Sequence, residues 1–192
     1  MAYDVPMPGF NTYNCNTIRL WSAKPHFEFD LEHFNQGNYY AAIADRQKAD
    51  EITKVLCYQD CNNEMIENRI KQEYFFSAAT IRDVVANFKK LNTDWDRFPD
   101  LNAIHLNDTQ PALAPIELLR ILIDEEGLMW DEAMHIVFQC TSFTTHSIHG
   151  ARDKWPCKLL ERILPRHLEL IYLINFHFIE KLRTKGVDVH VL

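Results

Sequence analysis

Three polar residues, Asn107, Asp108 and Thr109, follow a short apolar run and are of the types that orient the hydroxyl groups of a sugar. The preceding run, Ala103 to Leu106, is typical of a short buried strand. In open α/β sheets, ligands bind in the crevice beyond the carboxyl ends of the strands. The alternative interpretation is a capped helix start, because these side chains also accept hydrogen bonds from free backbone N–H groups.

A second polar run extends from Phe143 to Ser147 and contains one histidine, His146, after a predicted helix. Such a run is typical of an active-site loop, because an imidazole can donate or accept a hydrogen bond near neutral pH. A lone histidine is also common on a protein surface or within a core, where its hydrogen bonds are satisfied. The residue types alone leave both interpretations open.

A third group of candidate residues lies near the end of the chain. Glu169, Tyr172 and Asn175 are each three residues apart, so they share one face of a predicted helix. An exposed tyrosine between hydrogen-bonding groups is suited to stack against a sugar ring. The alternative interpretation is an ordinary amphipathic helix.

Only two strands are predicted among the elements that must position these residues. Alternation from Asn16 to Ala23 predicts the first strand, and Pro6 and Pro8 precede it as an extended segment. The second strand is the apolar run before Asn107. Loops are predicted at residues 58–68 and 92–102.

Hydrophobic periodicity and helix-end residues predict five longer helices. They span residues 31–56 with an interruption near Gly37, 70–90, 116–126, 131–138 and about 166–185. We expect the first helix to bury Phe34, Tyr40, Ile43, Ile52 and Val55. The second carries one apolar stripe, formed by Tyr74, Phe75, Ala78, Ile81, Val85 and Phe88. Helix starts are predicted at Pro115, Pro156 and Pro165, and helix ends at Gly127 and Gly186.

Length and composition indicate one globular domain without a broad nucleic-acid surface. The chain has 192 residues, 47% of them hydrophobic, and a net charge of −7 with acidic and basic residues interspersed. No run is apolar enough to span a bilayer, and no signal peptide is recognisable. Five scattered cysteines indicate reduced thiols and a cytoplasmic location. The spacing of Cys57 and Cys61 allows a metal site, but two ordinary thiols are favoured because no second ligand pair is near.

Three segments together resemble the α-glucan phosphorylases, the family of glycogen and starch phosphorylases. They are residues 16–23, residues 104–111 with the run Ile-His-Leu-Asn-Asp-Thr-Gln-Pro, and residues 164–168 with Leu-Pro-Arg-His-Leu. The resemblance covers about residues 3–185. It implies that residues 1–192 are a single partial domain, an internal segment of the N-terminal half of such an enzyme. The implied fold is α/β and helix-rich, part of a Rossmann-like domain of the glycosyltransferase-B type.

The resemblance implies hexosyl transfer in glycogen metabolism. In the family, inorganic phosphate attacks the non-reducing end of an α-1,4-glucan (glycogen, starch or maltodextrin) and releases glucose 1-phosphate. The family also uses pyridoxal phosphate, whose 5′-phosphate relays a proton and which a lysine of a C-terminal domain holds. We expect that lysine to be absent from this sequence, which also has no Gly-Gly pair to match the family's phosphate-facing glycine loop. The isolated chain is therefore predicted to be inactive.

Four residues match the sugar-binding part of the family's active site. Asn107 and Asp108 correspond to one wall of the catalytic cleft, and Asp60 to a loop that gates it. His146 corresponds to the catalytic histidine, which contacts the transferred glucosyl unit and whose main-chain carbonyl faces the developing positive charge. One departure lies in the same wall, where Gln110 replaces a histidine and removes a titrating group.

The resemblance also concerns glucan storage, dimerisation and regulation. Glu169, Tyr172 and Asn175 match a surface site that stores glycogen in animal phosphorylases, although Glu169 replaces a glutamine. Residues 46–56 resemble a subunit-interface helix, so a homodimer is possible. Residues 86–87 are Ala-Asn where animal enzymes carry an Arg pair for the AMP phosphate, so allosteric control of that type is not expected. The alternatives to an enzyme segment are a non-catalytic glucan-binding or dimerisation remnant, or a poorly folded fragment.

Overall fold

Two extended segments at the amino end form an antiparallel hairpin. The computed structural model describes residues 1–56, 62–146 and 154–187, and in it β1 (Ala2–Pro8) pairs with β2 (Cys15–Trp21). The predicted strand is confirmed, and the extended lead-in is itself a strand. Its prolines are accommodated because an edge strand need not donate every backbone hydrogen bond. The hairpin belongs to the first of two units of the chain, Met1–Phe76.

Three short helices follow the hairpin, with the predicted interruption at Gly37. They are α1 (Leu31–Asn35), α2 (Tyr39–Ala42) and α3 (Ala44–Thr53). Gly37 has φ +78°, a left-handed conformation that glycine adopts without strain. The Asp30 side chain caps α1 by accepting hydrogen bonds from two backbone N–H groups, at 2.9 and 3.1 Å.

The predicted buried face of this region is wrong. Four of the five side chains expected in the core are exposed, from 42% for Phe34 to 88% for Tyr40. Ile52 is half-buried, and the buried residues are Ala42 and Ala49. The expected face required one continuous helix with a single period. Because the chain turns between α1, α2 and α3, the apolar positions do not fall on a common stripe.

The longest helix, α4 (Asn63–Lys89), begins earlier than its apolar stripe indicated. Its start at Asn63 corrects part of the loop predicted at residues 58–68, of which residues 58–61 lie outside the described chain. Asn62 caps the helix by accepting from the backbone N–H of Met65 at 2.9 Å. The early turns are held by ion pairs between residues four apart, such as Arg69 with Glu73, and such turns show no apolar stripe.

The second unit, Ser77–Leu192, contains the larger core. Its sheet pairs β3 (Ile104–Asn107) with β4 (Thr141–Thr144) in parallel. Both the end of α4 and the following elements pack into this core, whose fully buried side chains include Ile81, Phe98, Leu118, Leu122, Ile136 and Leu170. The strand predicted before Asn107 is confirmed, whereas β4 was not predicted, because Thr-Ser-Phe-Thr lacks a strong apolar signal.

Helical elements form most of the rest of the described part of this unit. They are a 3-10 turn (Trp95–Arg97), α5 (Phe98–Leu101), α6 (Ala114–Arg120), a π-helical turn (Ile121–Glu125), α7 (Trp130–Cys140), α8 (Cys157–Ile163) and α9 (Pro165–Thr184). The predicted helices at 116–126, 131–138 and 166–185 are confirmed. The loop predicted at 92–102 contains two short helical elements instead. They are fixed by tertiary burial of Phe98 against Phe88, at a ring-centroid distance of 5.0 Å.

A buried carboxylate connects two helices of this unit. Glu117 of α6 is 0% exposed, and its Oε2 lies 2.7 Å from Nε2 of His167 in α9, itself 3% exposed. Arg120 donates to both oxygens of Glu117, at 2.9 and 2.8 Å. Burial alone raises the pKa of Glu117, but the hydrogen bonds from Arg120 and His167 outweigh burial and lower it to about 2. Breaking a buried ion pair is generally costly, because a charge in the interior loses its partner. Arg120 also pairs with Glu125, at 2.7 Å.

The low pKa of Glu117 predicts acid sensitivity. The unfolded chain binds a proton at this group near pH 4.5, whereas the folded chain does so only near pH 2. Stability from this group is therefore complete well above pH 4.5 and is lost as the pH falls towards 2, by roughly 3–4 kcal/mol at ~1.4 kcal/mol per pKa unit. Glu117→Gln should cost about 2–4 kcal/mol at neutral pH and remove this part of the pH dependence. Denaturant unfolding of the 192-residue chain, followed by circular dichroism, measures both effects.

The matched control is Glu28→Gln, which changes an exposed carboxylate and should leave the unfolding free energy within about 0.5 kcal/mol. An unfolding free energy that declines equally with acid in the chain and in Glu117→Gln would contradict the assignment to Glu117.

Candidate functional site

The carboxyl ends of β3 and β4 bring two of the predicted site residues together. The parallel register runs from Ile104 opposite Thr141 to Asn107 opposite Thr144, so both strands end at the same edge. His146 lies just beyond β4, and its Nε2 is 2.9 Å from Oδ1 of Asn107. Residues 39 positions apart in sequence thus form one hydrogen-bonded pair at the edge where α/β sheets bind ligands.

Asp108 lies in the same group and has an uncommon backbone conformation. Its φ is +69°, a left-handed conformation that aspartate tolerates better than most residues. Its backbone N–H donates to the carbonyl oxygen of Thr144 at 2.7 Å. The carboxylate Oδ1 accepts from the backbone N–H of Thr109 at 3.1 Å and from the Thr145 hydroxyl at 3.4 Å.

These contacts show that residues 107–109 do not cap the next helix. The next helix, α6, has its N-cap at Leu113 and no side-chain cap, so Asp108 does not cap it. Asp108 instead stabilises the turn that follows β3 and connects it to the residue after β4. Residues 107–109 therefore lie at the end of β3 and do not cap α6, whereas their role in orienting sugar hydroxyls stays a prediction.

One residue of this edge was missed by the sequence analysis. His105 has both ring nitrogens within hydrogen-bond distance of β4 hydroxyls, Nδ1 at 2.7 Å from Ser142 and Nε2 at 3.0 Å from Thr144. The only local signal is alternation, because His105 and Asn107 are two apart and so lie on the same face of a strand. Its partners were not recognisable, because β4 was not predicted.

The arrangement is chemically suited to bind a polyol. Within the polar edge are a carboxylate, an amide, an imidazole and several hydroxyl groups, supplied by residues that are exposed or half-buried. Sugar hydroxyls donate and accept hydrogen bonds, and this set provides both kinds of partner. Asp60, which was predicted to face the same site, lies outside the described residues.

The third predicted group lies on α9, where Glu169, Tyr172 and Asn175 are all exposed or half-buried. Glu169 accepts a hydrogen bond from Arg166 at 2.7 Å. Tyr172 is 57% exposed, and a hydrogen bond with Cys157 raises the pKa of its hydroxyl. Glu169 and Tyr172 contribute to a groove of about 430 Å³, together with Glu161, Pro165, Leu168, Leu173 and Phe176. The groove joins an apolar floor to two carboxylates.

The described chain offers neither a metal cluster nor a membrane span. Within residues 1–56, 62–146 and 154–187, no three His, Cys, Asp or Glu side chains are grouped closely enough to hold a metal ion. Cys57 and Cys61, the spaced thiols of the sequence, lie outside these ranges. No helix within the same ranges combines the length and apolar character needed to cross a bilayer.

Comparison with known proteins shows which family the chain belongs to. A family model for carbohydrate phosphorylases matches residues 1–191. The chain belongs to the carbohydrate phosphorylase family. The resemblance found in the sequence is thereby confirmed, and the mixed helix-and-strand structure is consistent with an α/β phosphorylase domain.

Individual phosphorylases match nearly the whole chain. Glycogen phosphorylase of Saccharomyces cerevisiae is 46% identical over 186 residues, which are 96% of this chain and 21% of the yeast protein. Glycogen phosphorylase 2 of Dictyostelium discoideum is 45% identical over 186 residues, 96% of this chain and 19% of that protein. The muscle form of Oryctolagus cuniculus is 44% identical over 190 residues, 94% of this chain and 22% of that protein. The chain thus spans about a fifth of the length of these relatives.

The lysines of this chain do not fit covalent attachment of pyridoxal phosphate. All ten of them lie in the described residues, and each is exposed. Several pair with neighbouring carboxylates, as Lys54 does with Asp50 and Lys71 with Glu67. A lysine that forms an imine with a cofactor is activated by desolvation or by a second cation in a shielded pocket. None of these surface positions provides such an environment.

Proposed function

We propose that this chain forms part of the glucan-binding wall of an α-1,4-glucan phosphorylase active site. The observation that carries the proposal is the hydrogen bond between His146 and Asn107, which joins two family-matched residues across the β3–β4 pair. Asp108 lies beside them and is held by contacts with Thr144 and Thr145. Two distant segments of a phosphorylase-family sequence therefore converge on one polar edge.

Each of the three residues has a distinct proposed role. With Oδ1 of Asn107 as acceptor, Nε2 of His146 donates the hydrogen bond, and Nδ1 is left to bond a sugar hydroxyl. The Asp108 carboxylate accepts from further hydroxyls. The main-chain carbonyl of His146 places a partial negative charge where positive charge develops on the transferred glucosyl unit. These groups bind and orient the sugar.

We assign glucan binding and orientation to this chain, and the remaining chemistry to other parts of a phosphorylase. The exposed lysines support the prediction that the cofactor-holding lysine is absent from this sequence. In the complete reaction, inorganic phosphate attacks an α-1,4-glucan and glucose 1-phosphate leaves. A cleft that stabilises such a transition state needs preorganised groups on both sides of the sugar.

A second glucan site on α9 is proposed from Glu169, Tyr172 and Asn175. The accessibility of all three residues supports it, and so does the groove that Tyr172 lines with Phe176. An exposed aromatic ring next to a carboxylate offers a stacking surface and a hydrogen-bond acceptor to a sugar. This site would hold glucan without taking part in phosphorolysis.

Pairing with a second subunit is proposed for residues 46–56. The region comprises most of α3 and its carboxyl end, where Val55 is 74% and Leu56 44% exposed. Neighbouring exposed apolar side chains are typical of interaction surfaces. A homodimer formed through this region would bury them.

A cytoplasmic location is proposed from the thiols. Cys15, Cys140 and Cys157 are all free, and burial raises the pKa of the Cys140 thiol to about 11. Free cysteines are typical of a reducing compartment. This chemistry supports the cytoplasm as the location of the chain.

Removal of the His146 ring tests the proposed active-site wall. His146→Ala and Asn107→Ala should each weaken maltoheptaose binding by roughly tenfold, because each deletes a hydrogen-bond partner worth about 1 kcal/mol or more. Isothermal titration calorimetry with the 192-residue chain measures the dissociation constant. His26→Ala removes an exposed histidine of the first unit and serves as control. Equal affinity of His146→Ala and His26→Ala would contradict the proposed wall.

The proposed glucan site on α9 predicts a separate effect on glycogen binding. Tyr172→Ala should remove the stacking surface and reduce co-sedimentation with glycogen at least several-fold, while maltoheptaose binding at the β3–β4 edge stays within about twofold. Tyr13→Ala, which removes a fully exposed tyrosine in the hairpin turn, is the matched control. An unchanged pellet fraction for Tyr172→Ala would eliminate this site.

Because this proposal assigns only glucan binding to the 192-residue chain, we expect the chain to be inactive alone. With added pyridoxal phosphate, glycogen and inorganic phosphate, we expect no glucose 1-phosphate above a protein-free control. Borohydride reduction followed by mass spectrometry of peptides should find no lysine with specific, stoichiometric cofactor attachment, because every lysine is exposed. Glucose 1-phosphate formation together with one stoichiometrically labelled lysine would refute the prediction.

A further inference from the structure

We propose that His105 is a positioning residue, which fixes the register of β3 against β4 and thereby places Asn107 beside His146. The inference rests on the proposed glucan site and deepens it. His105 does not belong to the set that binds sugar in that proposal. Its ring contacts β4 through the hydroxyl groups of Ser142 and Thr144, at 2.7 and 3.0 Å.

The segment that connects β3 to β4 is too long to set the register between the two strands. Antiparallel strands joined by a tight turn have their register set by that turn, but β3 and β4 are parallel. The chain between Asn107 and Thr141 passes through α6, the π-helical turn and α7 before β4 begins. Register must therefore be fixed by contacts between the strands and with the core.

Hydrophobic burial excludes only one class of misalignment. Leu106 is 5% exposed and lies on the core side of β3. Because side chains alternate along a strand, slipping one residue would move the apolar side chains of a strand to the opposite face. A slip of two residues keeps every side chain on its face, so the alternation of buried and exposed residues does not discriminate against it. Such a slip would displace His146 from Asn107 by about 6.6 Å, at ~3.3 Å per residue.

The hydrogen bonds of His105 distinguish the observed register from one shifted by two residues. Its partner in the register is Ser142, and Thr144 lies two residues further on the same face, so the ring bridges two hydroxyls of β4. A two-residue slip would place a different pair of β4 side chains beside the ring. Only the observed register gives both ring nitrogens a hydroxyl partner, and this same register brings Asn107 to His146.

Hydroxyl groups are suitable hydrogen-bond partners for both ring nitrogens of His105. A hydroxyl donates or accepts, so the neutral ring bonds one hydroxyl as donor and the other as acceptor. The imidazolium donates from both nitrogens, and both hydroxyls then accept.

The test compares three variants of the 192-residue chain by NMR of the histidine ring nitrogens. In the unmodified chain, Nε2 of His146 should be the protonated nitrogen, since it donates to Asn107. His105→Ala should shift the His146 ring signals towards those of a free histidine and weaken maltoheptaose binding by about tenfold. His105→Gln, which offers one donor and one acceptor, should restore both properties to within about twofold. His26→Ala should change neither.

Circular dichroism separates positioning from general stability. His105→Ala is expected to unfold cooperatively and to remain folded at the temperature of the NMR measurement. His146 signals in His105→Ala identical to those of the unmodified chain would overturn the inference, as would failure of His105→Gln to restore them in a folded variant. The ring signals report on the register whether or not the unmodified chain binds maltoheptaose, so failure of the proposed glucan site is distinguishable.

Discussion

The parallel pairing of β3 with β4 is the constraint on which the candidate site depends. Each strand has four residues, and a two-stranded parallel sheet has little stability of its own. The pair persists because helices pack against it and bury Leu106, while the opposite face is occupied by hydrogen-bonding side chains. Burial therefore selects the face that meets the core, and polar contacts select which residues meet at the strand ends.

The helices that support this pair are joined by buried and half-buried ion pairs. Glu117 connects α6 to His167 of α9, and Arg120 completes the hydrogen bonds of the same carboxylate. Arg166 at the start of α9 also pairs with Asp124 of the π-helical turn, at 2.7 Å. These contacts are directional, unlike the packing of leucine and isoleucine in the same core. They fix the relative positions of α6 and α9, and the core against which β3 packs is fixed with them.

The phosphorylase relationship gives a physical context to the exposed apolar surfaces. One face of the hairpin carries Tyr3, Val5, Ile18 and Leu20, each between 44% and 51% exposed. The phosphorylases that match this chain are about five times as long, so the matching segment is about a fifth of each of those proteins. Exposed apolar surface of this extent is a liability for an isolated domain. Unfolding and glucan-binding measurements on the 192-residue chain therefore test whether this segment folds and binds without the rest of a phosphorylase.

Local sequence was sufficient to predict the elements that have a periodic apolar pattern or characteristic helix-end residues. The stripe from Ile81 to Phe88 determined the second half of α4, and Pro165 and Gly186 marked the ends of α9. The strand end at Asn107 and Asp108 was also recognisable, since polar residues follow an apolar run there. Family membership followed from short motifs that the wider comparison confirmed. The site roles of Asp60, Asn107, Asp108 and His146 all stay predictions.

Tertiary structure alone decided which of these residues meet. His105 and His146 find partners 37 to 39 residues away, and no periodicity within one segment encodes a contact at that separation. Burial of Glu117 and exposure of Phe34 were decided in the same way, by the packing of whole elements. Sequence determined which surfaces each element offers, because hydrophobic spacing is local. The structure determined which surfaces face one another, because that choice depends on the packing of the entire unit.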